Sequence, residues 1–523
     1  MDRFLKLFLL SREATPLEAP PLNLATWRAG LQLENIEVLY LFGLGDGSAY
    51  FLLRNWLSEK KERRLVILEE ELGLIATLFR KDLPLLSDPQ VDLEWFAGNI
   101  QELAERYPVQ RIEAVSLPGY PISRFRRHRL ELLRKTTLSQ ALFIDRLHGY
   151  QPFENFVKNV PRLSGSFYGN GLKDAFLNVP AIVCGAGPSL KQAIPFLKEF
   201  DGRALVIAGG STLAALSSSG YVPHFGLAID PNLEEYRRFR NSFCFECPLL
   251  FSTRVFPAIF RTCSGPFGYF RSGIGGASEL WLDEELGLTD PLLGENLSDE
   301  SISVTAICLA FAKHIGCSTI LLSGIDLAYT NGQRYAAGVS NETTHFREIE
   351  AEKSAPDRIV RKKDKAGRFV HTAVRWVMEA ASISHFAKKH PEIRWINTTS
   401  GGLRIEGMEE MALGKAKHFL LAEPRNLREE VAKAIVRSPM PQPKIDLLQE
   451  LKESVERCMN HLEVLAGKKK GSKPLAEVEL KEELAASILF YDMEKVLEQA
   501  SRRSDIPKWE TYLEIASKYN QRF

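Results

Sequence analysis

The sequence predicts an α/β protein: a central doubly wound, mainly parallel Rossmann-like sheet, preceded by a smaller Rossmann-like domain and followed by a helical C-terminal region. Three observations lead to this prediction. A strand, a glycine-rich turn and a helix succeed one another near residue 40, apolar runs then alternate with helical segments, and charged, helix-periodic sequence follows residue 425. We expect domains at 1–145, 146–422 and 423–523.

Composition indicates a protein that folds around large apolar cores. The chain has 523 residues, 45% of them hydrophobic and 25% charged, and its net charge of +1 gives no overall field that would attract nucleic acid or a membrane surface. Its seven cysteines are scattered, and they form neither a disulfide framework nor a complete set of zinc ligands. The N-terminal apolar stretch is interrupted by Lys6 and is too short for a membrane span. We expect a cytoplasmic protein with no membrane insertion, no nucleic-acid partner and no metal.

The first domain contains the segment "LYLFGLGDGSAYFLL", in which Gly43, Gly45 and Gly47 follow an apolar strand. A second strand ends at Glu69, where nucleotide folds place an acid that binds ribose. This pattern is typical of a methyltransferase-like or dinucleotide site. It also fits a domain that merely packs, which is the interpretation we prefer because no companion motif follows.

The central domain places small or acidic residues at the ends of four predicted strands. These clusters are Gly185–Ser189, Gly209–Thr212, Asp230 with Pro231, and Gly324–Asp326. Ligands of open parallel sheets bind beyond the carboxyl ends of the strands. Glycine turns and helix N-termini at that edge suit a phosphate group. The four clusters together therefore predict a nucleotide site.

The motifs in this domain resemble a known family. "AIVCGAGPSL", "ALVIAGGSTLAAL", "SVTAICLAFAKHIGCSTILLSGIDLAYTNGQRYAAG" and "INTTSGGLRIEGM" are similar, in order, to the motility-associated-factor (Maf) flagellin glycosyltransferases. The central domain of that family is related to archaeal 6-hydroxymethylpterin pyrophosphokinase-like proteins. It also resembles the Campylobacter-type sialyltransferases, which use a CMP-activated nonulosonic acid. The N-terminal segment "LYLFGLGDGSAYFLL" also resembles the N-terminal Rossmann-like domain of the Maf family, so the resemblance spans roughly residues 35–415.

The resemblance implies a set of donor-binding residues. Gly185, Gly187, Pro188 and Ser189 would cradle the phosphate and ribose of CMP, and Ser303 and Thr305 would add hydrogen bonds to the nucleotide. Gly324, Ile325 and Asp326 would hold the ribose or the cytosine. The strand-end residues Gly209, Ser211 and Asp230 complete the predicted site. No tightly bound cofactor is implied, because the CMP-sugar is a substrate.

The catalytic residues are less well defined, because the sequence departs from the sialyltransferase pattern. Ala328 stands where those enzymes carry a tyrosine, and Tyr329 beside it or Tyr335 is offered as a substitute. The general base of those enzymes is a histidine in a downstream segment. Here His345 and His371 are both available. The sequence leaves the choice between them open.

The function that the resemblance implies is transfer of a nonulosonic acid (sialic, pseudaminic or legionaminic class) from a CMP-sugar to Ser or Thr of a protein, with flagellin as one candidate acceptor. The alternative enzyme is a pterin or other pyrophosphokinase that uses ATP and Mg²⁺. A third interpretation is a nucleotide-binding or assembly factor that has lost its activity. Neither the sugar, the acceptor nor the oligomeric state follows from the sequence.

Overall fold

The computed structural model describes residues 4–19, 22–81, 83–107, 110–147, 150–233, 236–237, 246–294, 303–339, 358–442, 446–490 and 508–523. The chain forms two compact units, Met1–Phe143 and Ile144–Phe523. The C-terminal helices thus belong to the same compact unit as the central sheet. The division into three domains stays a prediction.

In the first unit, the described residues contribute four parallel strands in the order β3-β2-β1-β4. The strands are β1 (Val38–Phe42), β2 (Arg64–Glu69), β3 (Val91–Trp95) and β4 (Ile112–Ser116). The helices are α1 (Leu5–Ser11), α2 (Ala25–Ala29), α3 (Ser48–Ser58), α4 (Leu72–Lys81), α5 (Ile100–Arg106) and the start of α6 (Ile122–Leu147). This arrangement confirms the smaller Rossmann-like sheet.

The glycine turn of this first unit is filled by leucine side chains. A Cβ atom on Gly47 would lie 2.7 Å from Leu83, and one on Gly45 would lie 3.1 Å from Leu117. Glu69 is buried, and its carboxylate accepts hydrogen bonds from the amides of Leu44 (2.7 Å) and Glu71 (2.8 Å). Since the acid binds the turn itself, these contacts support the interpretation that the turn packs.

In the second unit, nine strands of the described residues form one sheet in the order β15-β14-β11-β6-β7-β8-β9-β10-β5. Every pair of neighbours in this sheet is parallel. The strands are β5 (Phe167–Tyr168), β6 (Ala181–Cys184), β7 (Leu205–Gly209), β8 (Phe225–Ala228), β9 (Leu249–Phe251), β10 (Phe267–Tyr269), β11 (Thr319–Ser323), β14 (Arg394–Asn397) and β15 (Glu409–Glu410). Six of these strands coincide with apolar runs that predict them in the sequence: "AIVCG", "ALVIAGG", "FGLAID", "PLLFS", "TILLSGID" and "IRWINTT".

Helices cover both faces of this sheet. They are α7 (Tyr150–Asn159), α8 (Leu190–Glu199), α9 (Ser211–Ser218), α10 (Ile259–Thr262), α11 (Ala277–Glu285), α12 (Val304–His314) and α13 (Val374–Lys389). Alternate residues of β6 show the two layers: Ala181 and Val183 pack with α12, whereas Ile182 and Cys184 pack with α8. The doubly wound fold is therefore confirmed.

An antiparallel hairpin that the sequence did not predict precedes α13. It consists of β12 (Ile359–Lys363) and β13 (Phe369–Ala373), with Arg361 paired to His371. The β-branched and aromatic residues of "IVRKK" and "FVHTA" on either side of "DKAGR" carry the strand signal, and Gly367 supplies a residue with φ of +81° between the strands.

The chain ends in helices α14 (Leu427–Val436), α15 (Leu447–Leu465), α16 (Lys473–Glu482) and α17 (Lys508–Asn520), which confirms the helical C-terminal region. Leu451, Val455, Cys458 and Leu462 recur at helical spacing on α15, and all are buried in the cluster that also contains one face of the central sheet. Among the described residues, none of the helices combines the length and the apolar character needed to cross a bilayer.

We predict that Gly47→Ala lowers the free energy of unfolding more than Gly119→Ala does. Both glycines have left-handed backbones, with φ of +84° and +90°, so each substitution carries backbone strain of about 1–2 kcal/mol. Only the Cβ at position 47 meets a neighbour, whereas none lies within 4 Å at position 119. The additional loss should be about 1–3 kcal/mol. Urea unfolding followed by tryptophan fluorescence measures it, and equal losses would show that the turn is not packed.

Candidate functional site

A cleft of about 330 Å³ opens at the carboxyl edge of the central sheet. It lies where the strand order reverses, since β6 and β11 are neighbours and the chain continues to β7 on one side and to β14 on the other. Such a switch point is where open α/β sheets bind ligands. Ten of the twelve predicted donor-binding residues line the cleft: Gly185, Gly187, Gly209, Ser211, Asp230, Ser303, Thr305, Gly324, Ile325 and Asp326.

The turn after β6 is joined to the loop after β11 by backbone hydrogen bonds. The amide of Gly185 donates to the carbonyl of Ser323, and the amide of Gly187 donates to the carbonyl of Gly324, each at 2.8 Å. A Cβ atom on Gly187 would lie 2.2 Å from the carboxylate of Asp326. The glycines are thus required by the close approach of two loops. A Gly187→Val variant would therefore disrupt the contact between the two loops in addition to blocking a ligand at the turn.

Asp326 completes this junction. The side chain is only 1% exposed, and its Oδ2 accepts hydrogen bonds from the hydroxyl of Ser189 (2.6 Å) and from its amide (3.3 Å), while Oδ1 accepts one from the hydroxyl of Thr330 (2.7 Å). Burial raises the pKa of this carboxyl, and the bonds from Ser189 and Thr330 oppose that rise. Most of the hydrogen-bonding capacity of Asp326 is therefore used within the protein.

Pro188 and Ser189 are the two predicted binding residues that do not line this cleft. Ser189 lies just before α8, where its hydroxyl is held by Asp326. The hydroxyl proton of Ser189 is therefore directed to a protein carboxylate, and ribose binding by this residue stays a prediction.

The N-terminus of α12 faces the cleft beside a carboxylate that the sequence analysis missed. Ser303 caps the helix by accepting a hydrogen bond from the amide of Ala306 (3.1 Å), and its hydroxyl donates to Oε1 of Glu379 (2.7 Å). Burial raises the pKa of Glu379, and the hydroxyls of Ser303 and Thr305 lower it. Because the proton of Ser303 goes to Glu379, this hydroxyl presents an acceptor to a ligand while Glu379 is ionised.

Two cations at the cleft were also missed. Arg334 and Arg375 line it together with Trp376, and each guanidinium carbon lies 5.7 Å from the centre of the Trp376 ring. Arg334 also lies 5.1 Å from the ring of Tyr335. Stacking on the Trp376 ring orients both guanidinium groups at the cleft, and the positive charge of Arg375 also lowers the pKa of Glu379. Arg375, Trp376 and Glu379 lie in the sequence segment "VRWVMEA", at the start of α13. This segment alone does not indicate that the helix starts at the cleft, because the preceding hairpin sets its position.

Of the three predicted catalytic residues, His345 falls outside the described residues, and the two that are described, Tyr329 and His371, do not line the cleft. Tyr329 is buried behind the lining, where its ring lies 5.1 Å from that of Trp376. His371 lies on β13, and its carbonyl accepts a hydrogen bond from the amide of Tyr329 (2.9 Å). The catalytic roles of these residues stay predictions.

A metal site was not expected, and the described residues contain no group of three or more His, Cys, Asp or Glu placed to hold a metal ion. The sequence contains one C-x-x-C motif, "CFEC", formed by Cys244 and Cys247, and Cys244 lies outside the described residues. Its second cysteine, Cys247, is buried and unpaired. Burial raises the pKa of the Cys247 thiol to about 12, so it is protonated at neutral pH.

Comparison with known proteins supports the MptE-like part of the resemblance. Residues 154–332 match the family model described as 6-hydroxymethylpterin diphosphokinase MptE-like. The matched segment runs from α7 to the loop after β11 and contains all twelve predicted donor-binding residues.

The chain was also compared with solved structures and with curated protein sequences. A solved structure of a Maf glycosyltransferase from Magnetospirillum magneticum AMB-1 is similar to this chain, with 15% identity, 99% of this chain and 86% of that chain covered, and a TM-score of 0.48. Comparison with curated protein sequences gives no match.

We predict that Asp326→Ala destabilises the protein by about 3 kcal/mol, because it leaves the amide and hydroxyl of Ser189 and the hydroxyl of Thr330 without their acceptor. Asp326→Asn should cost about 1 kcal/mol, since an amide oxygen can accept from Ser189 and the amide group can donate to Thr330. Urea unfolding measures both losses. Full stability of Asp326→Ala would show that this carboxylate does not hold the two loops together.

Proposed function

We propose that this protein is a glycosyltransferase of the Maf type, which transfers a nonulosonic acid from a CMP-sugar to Ser or Thr of an acceptor protein, with flagellin as one candidate. The observation that carries the proposal is the convergence, beside the Gly185–Gly187 turn of one switch-point cleft, of the N-terminus of α12 with Arg334 and Arg375. Helix N-termini and guanidinium groups both stabilise a phosphate anion. The resemblance of the sequence motifs to the Maf and sialyltransferase families is the reason for proposing a CMP-sugar among the possible phosphate ligands.

The proposed reaction breaks the bond between the anomeric carbon of the sugar and the phosphate oxygen of CMP. The leaving CMP takes the bonding electrons, so negative charge grows on its phosphate as positive charge grows on the sugar. Arg334, Arg375 and the dipole of α12 would stabilise the phosphate at that moment. The acceptor hydroxyl oxygen then bonds to the anomeric carbon, and its proton passes to a base.

The proposed reaction also needs a general base that takes the proton of the acceptor hydroxyl. His371 is the candidate that remains among the described histidines, because its strand leads directly into the helix that carries Arg375 and Trp376. Tyr329 adjoins it through a backbone hydrogen bond. We place the reaction in the cytoplasm, as the scattered cysteines suggest.

The second candidate function is pyrophosphoryl transfer from ATP, with Mg²⁺, to a pterin or similar alcohol. The description of the MptE-like family favours it. Asp230 and Glu379 line the same cleft and are the carboxylates that would have to serve such a reaction. A protein with this fold that only binds a nucleotide is the third candidate. Nucleotide titrations separate the three.

We predict that CMP binds to the full-length protein without added metal, and that Arg375→Ala lowers its affinity at least tenfold, about 1.4 kcal/mol. The lost guanidinium is one of the two that face the cleft. Arg437→Ala is the matched control, because Arg437 is an exposed arginine at the end of α14. Isothermal titration calorimetry gives the affinities. Tighter binding of ATP with Mg²⁺ than of CMP would favour the pyrophosphokinase, and binding of neither would contradict both enzymes.

We also predict that Glu379 makes CMP affinity depend on pH. Its raised pKa means that the carboxyl keeps its proton to a higher pH than an exposed glutamate does, and that it repels phosphate once ionised. Affinity of the wild type relative to Glu379→Gln should therefore fall as pH rises through this pKa. The ratio of the two affinities is compared at each pH, because the phosphate of CMP itself titrates near pH 6. A constant ratio would exclude a charged Glu379 beside the phosphate.

A further inference from the structure

The β12–β13 hairpin and the start of α13 form the most basic described segment near the cleft. Residues 358–375 contain seven Lys or Arg and a single Asp, a balance of +6, whereas the whole chain has a net charge of +1. The positive charge is therefore concentrated in this short segment and does not reflect the composition of the whole chain.

The register of the hairpin places two of these cations and an aromatic ring on one face. Arg361 pairs with His371 and Lys363 pairs with Phe369, and side chains of directly opposed residues lie on the same side of a sheet. The guanidinium carbon of Arg361 lies 4.3 Å from the centre of the Phe369 ring, and the ammonium of Lys363 lies 5.8 Å from it. We call Arg361, Lys363 and Phe369 the basic–aromatic face.

This face is exposed. Phe369 is 59% exposed, which is high for a large apolar side chain, and both cations are exposed. Neither Arg361 nor Lys363 forms an ion pair with any described residue. The turn between the strands differs, since Arg368 pairs with Asp364 (2.9 Å) and Lys365 pairs with Glu410 (3.0 Å).

The opposite face of the hairpin fixes it against the protein. Val370 packs with Ala328, and the hydroxyl of Thr372 donates to the carbonyl of Leu327 at 2.6 Å. The amide of Lys365 donates to the carbonyl of Gly402 at 3.1 Å. Leu327 and Ala328 line the cleft, so the basic–aromatic face is held directly behind the cleft wall.

We propose that the basic–aromatic face binds an acidic, extended segment of the acceptor polypeptide. The proposal rests on the proposed function, since a transferase that modifies a protein must hold it beside the donor site. Two cations complement carboxylates, and the ring offers an apolar contact between them. A strand of five residues spans roughly 17 Å, which suits a short extended peptide.

A polypeptide is favoured over a nucleic acid by the number of cations. Only Arg361 and Lys363 lie on this face without an ion pair among the described residues, whereas a protein that follows a nucleic-acid backbone commonly makes about 6–10 phosphate contacts. The net charge of the chain adds no long-range attraction to such a polyanion.

The test uses a fluorescent peptide with repeating Glu-Ser-Ala units and a peptide of the same length in which Gln replaces Glu. Fluorescence anisotropy measures binding to the full-length protein, to Arg361→Gln/Lys363→Gln, and to the matched control Lys468→Gln/Lys470→Gln, which alters two exposed lysines in the loop after α15. We expect the acidic peptide to bind the wild type and the control equally and the hairpin variant at least tenfold more weakly. Phe369→Ala should weaken binding severalfold without altering its dependence on salt.

Several results would overturn the proposal. These are equal binding of the acidic peptide to the wild type and the hairpin variant, equal binding of the acidic and Gln peptides, or tighter binding of a single-stranded oligonucleotide through the same two residues. If the hairpin variant does not fold, the salt dependence of the wild type is the test. Its affinity for the acidic peptide must decrease when the salt concentration is raised from about 0.05 to about 0.5 M. A CMP titration on the same samples separates the two proposals. If the protein binds CMP but not the acidic peptide, the proposed function is retained and the docking surface is rejected. If it binds the acidic peptide but not CMP, the docking surface is retained and the proposed function is rejected.

Discussion

The candidate site depends on the hydrogen bonds that join the turn after β6 to the loop after β11. Gly185 and Gly187 donate their amides to the carbonyls of Ser323 and Gly324, and the buried carboxylate of Asp326 holds Ser189. Strand pairing alone ends at Cys184 and Ser323. These bonds continue the contact beyond the sheet and set the floor of the cleft. Every other group of the site is placed relative to that floor.

The contact between these two loops gives a structural reason for the glycines that does not involve a ligand. A glycine in a strand–turn–helix motif suggests that a ligand approaches the backbone, and the chain contains two such turns. In the first unit leucine side chains fill the space, and in the second unit a carboxylate and a carbonyl fill it. Under the proposed function, a phosphate at the second turn would therefore be held by the cations and the helix end that face it. Backbone amides of Gly185 and Gly187 are already used.

The strands, their parallel order and the cleft could be predicted because they follow from local signals. Apolar runs such as "TILLSGID" are read directly as buried strands, and their ends must meet at one edge of a parallel sheet. Arg334, Arg375 and Glu379 could not be predicted in this way. They reach the cleft through a loop and a helix whose direction is set by the hairpin, and nothing in their own sequence indicates that direction. Tyr329 shows the converse, because it adjoins the strongest motif and yet lies behind the wall of the cleft.

The direct passage from β13 to α13 has a mechanical consequence. The strand ends at Ala373 and the helix begins at Val374, with no linker between them. The hairpin and the helix that carries Arg375 are therefore one continuous piece of chain, and a displacement of the hairpin would be passed on to the guanidinium. Under the two proposals above, occupation of the outer surface by the acceptor and the position of Arg375 beside the leaving phosphate would then be coupled. Such coupling would favour an ordered cycle, in which hydrolysis of the donor is slow until the acceptor has arrived.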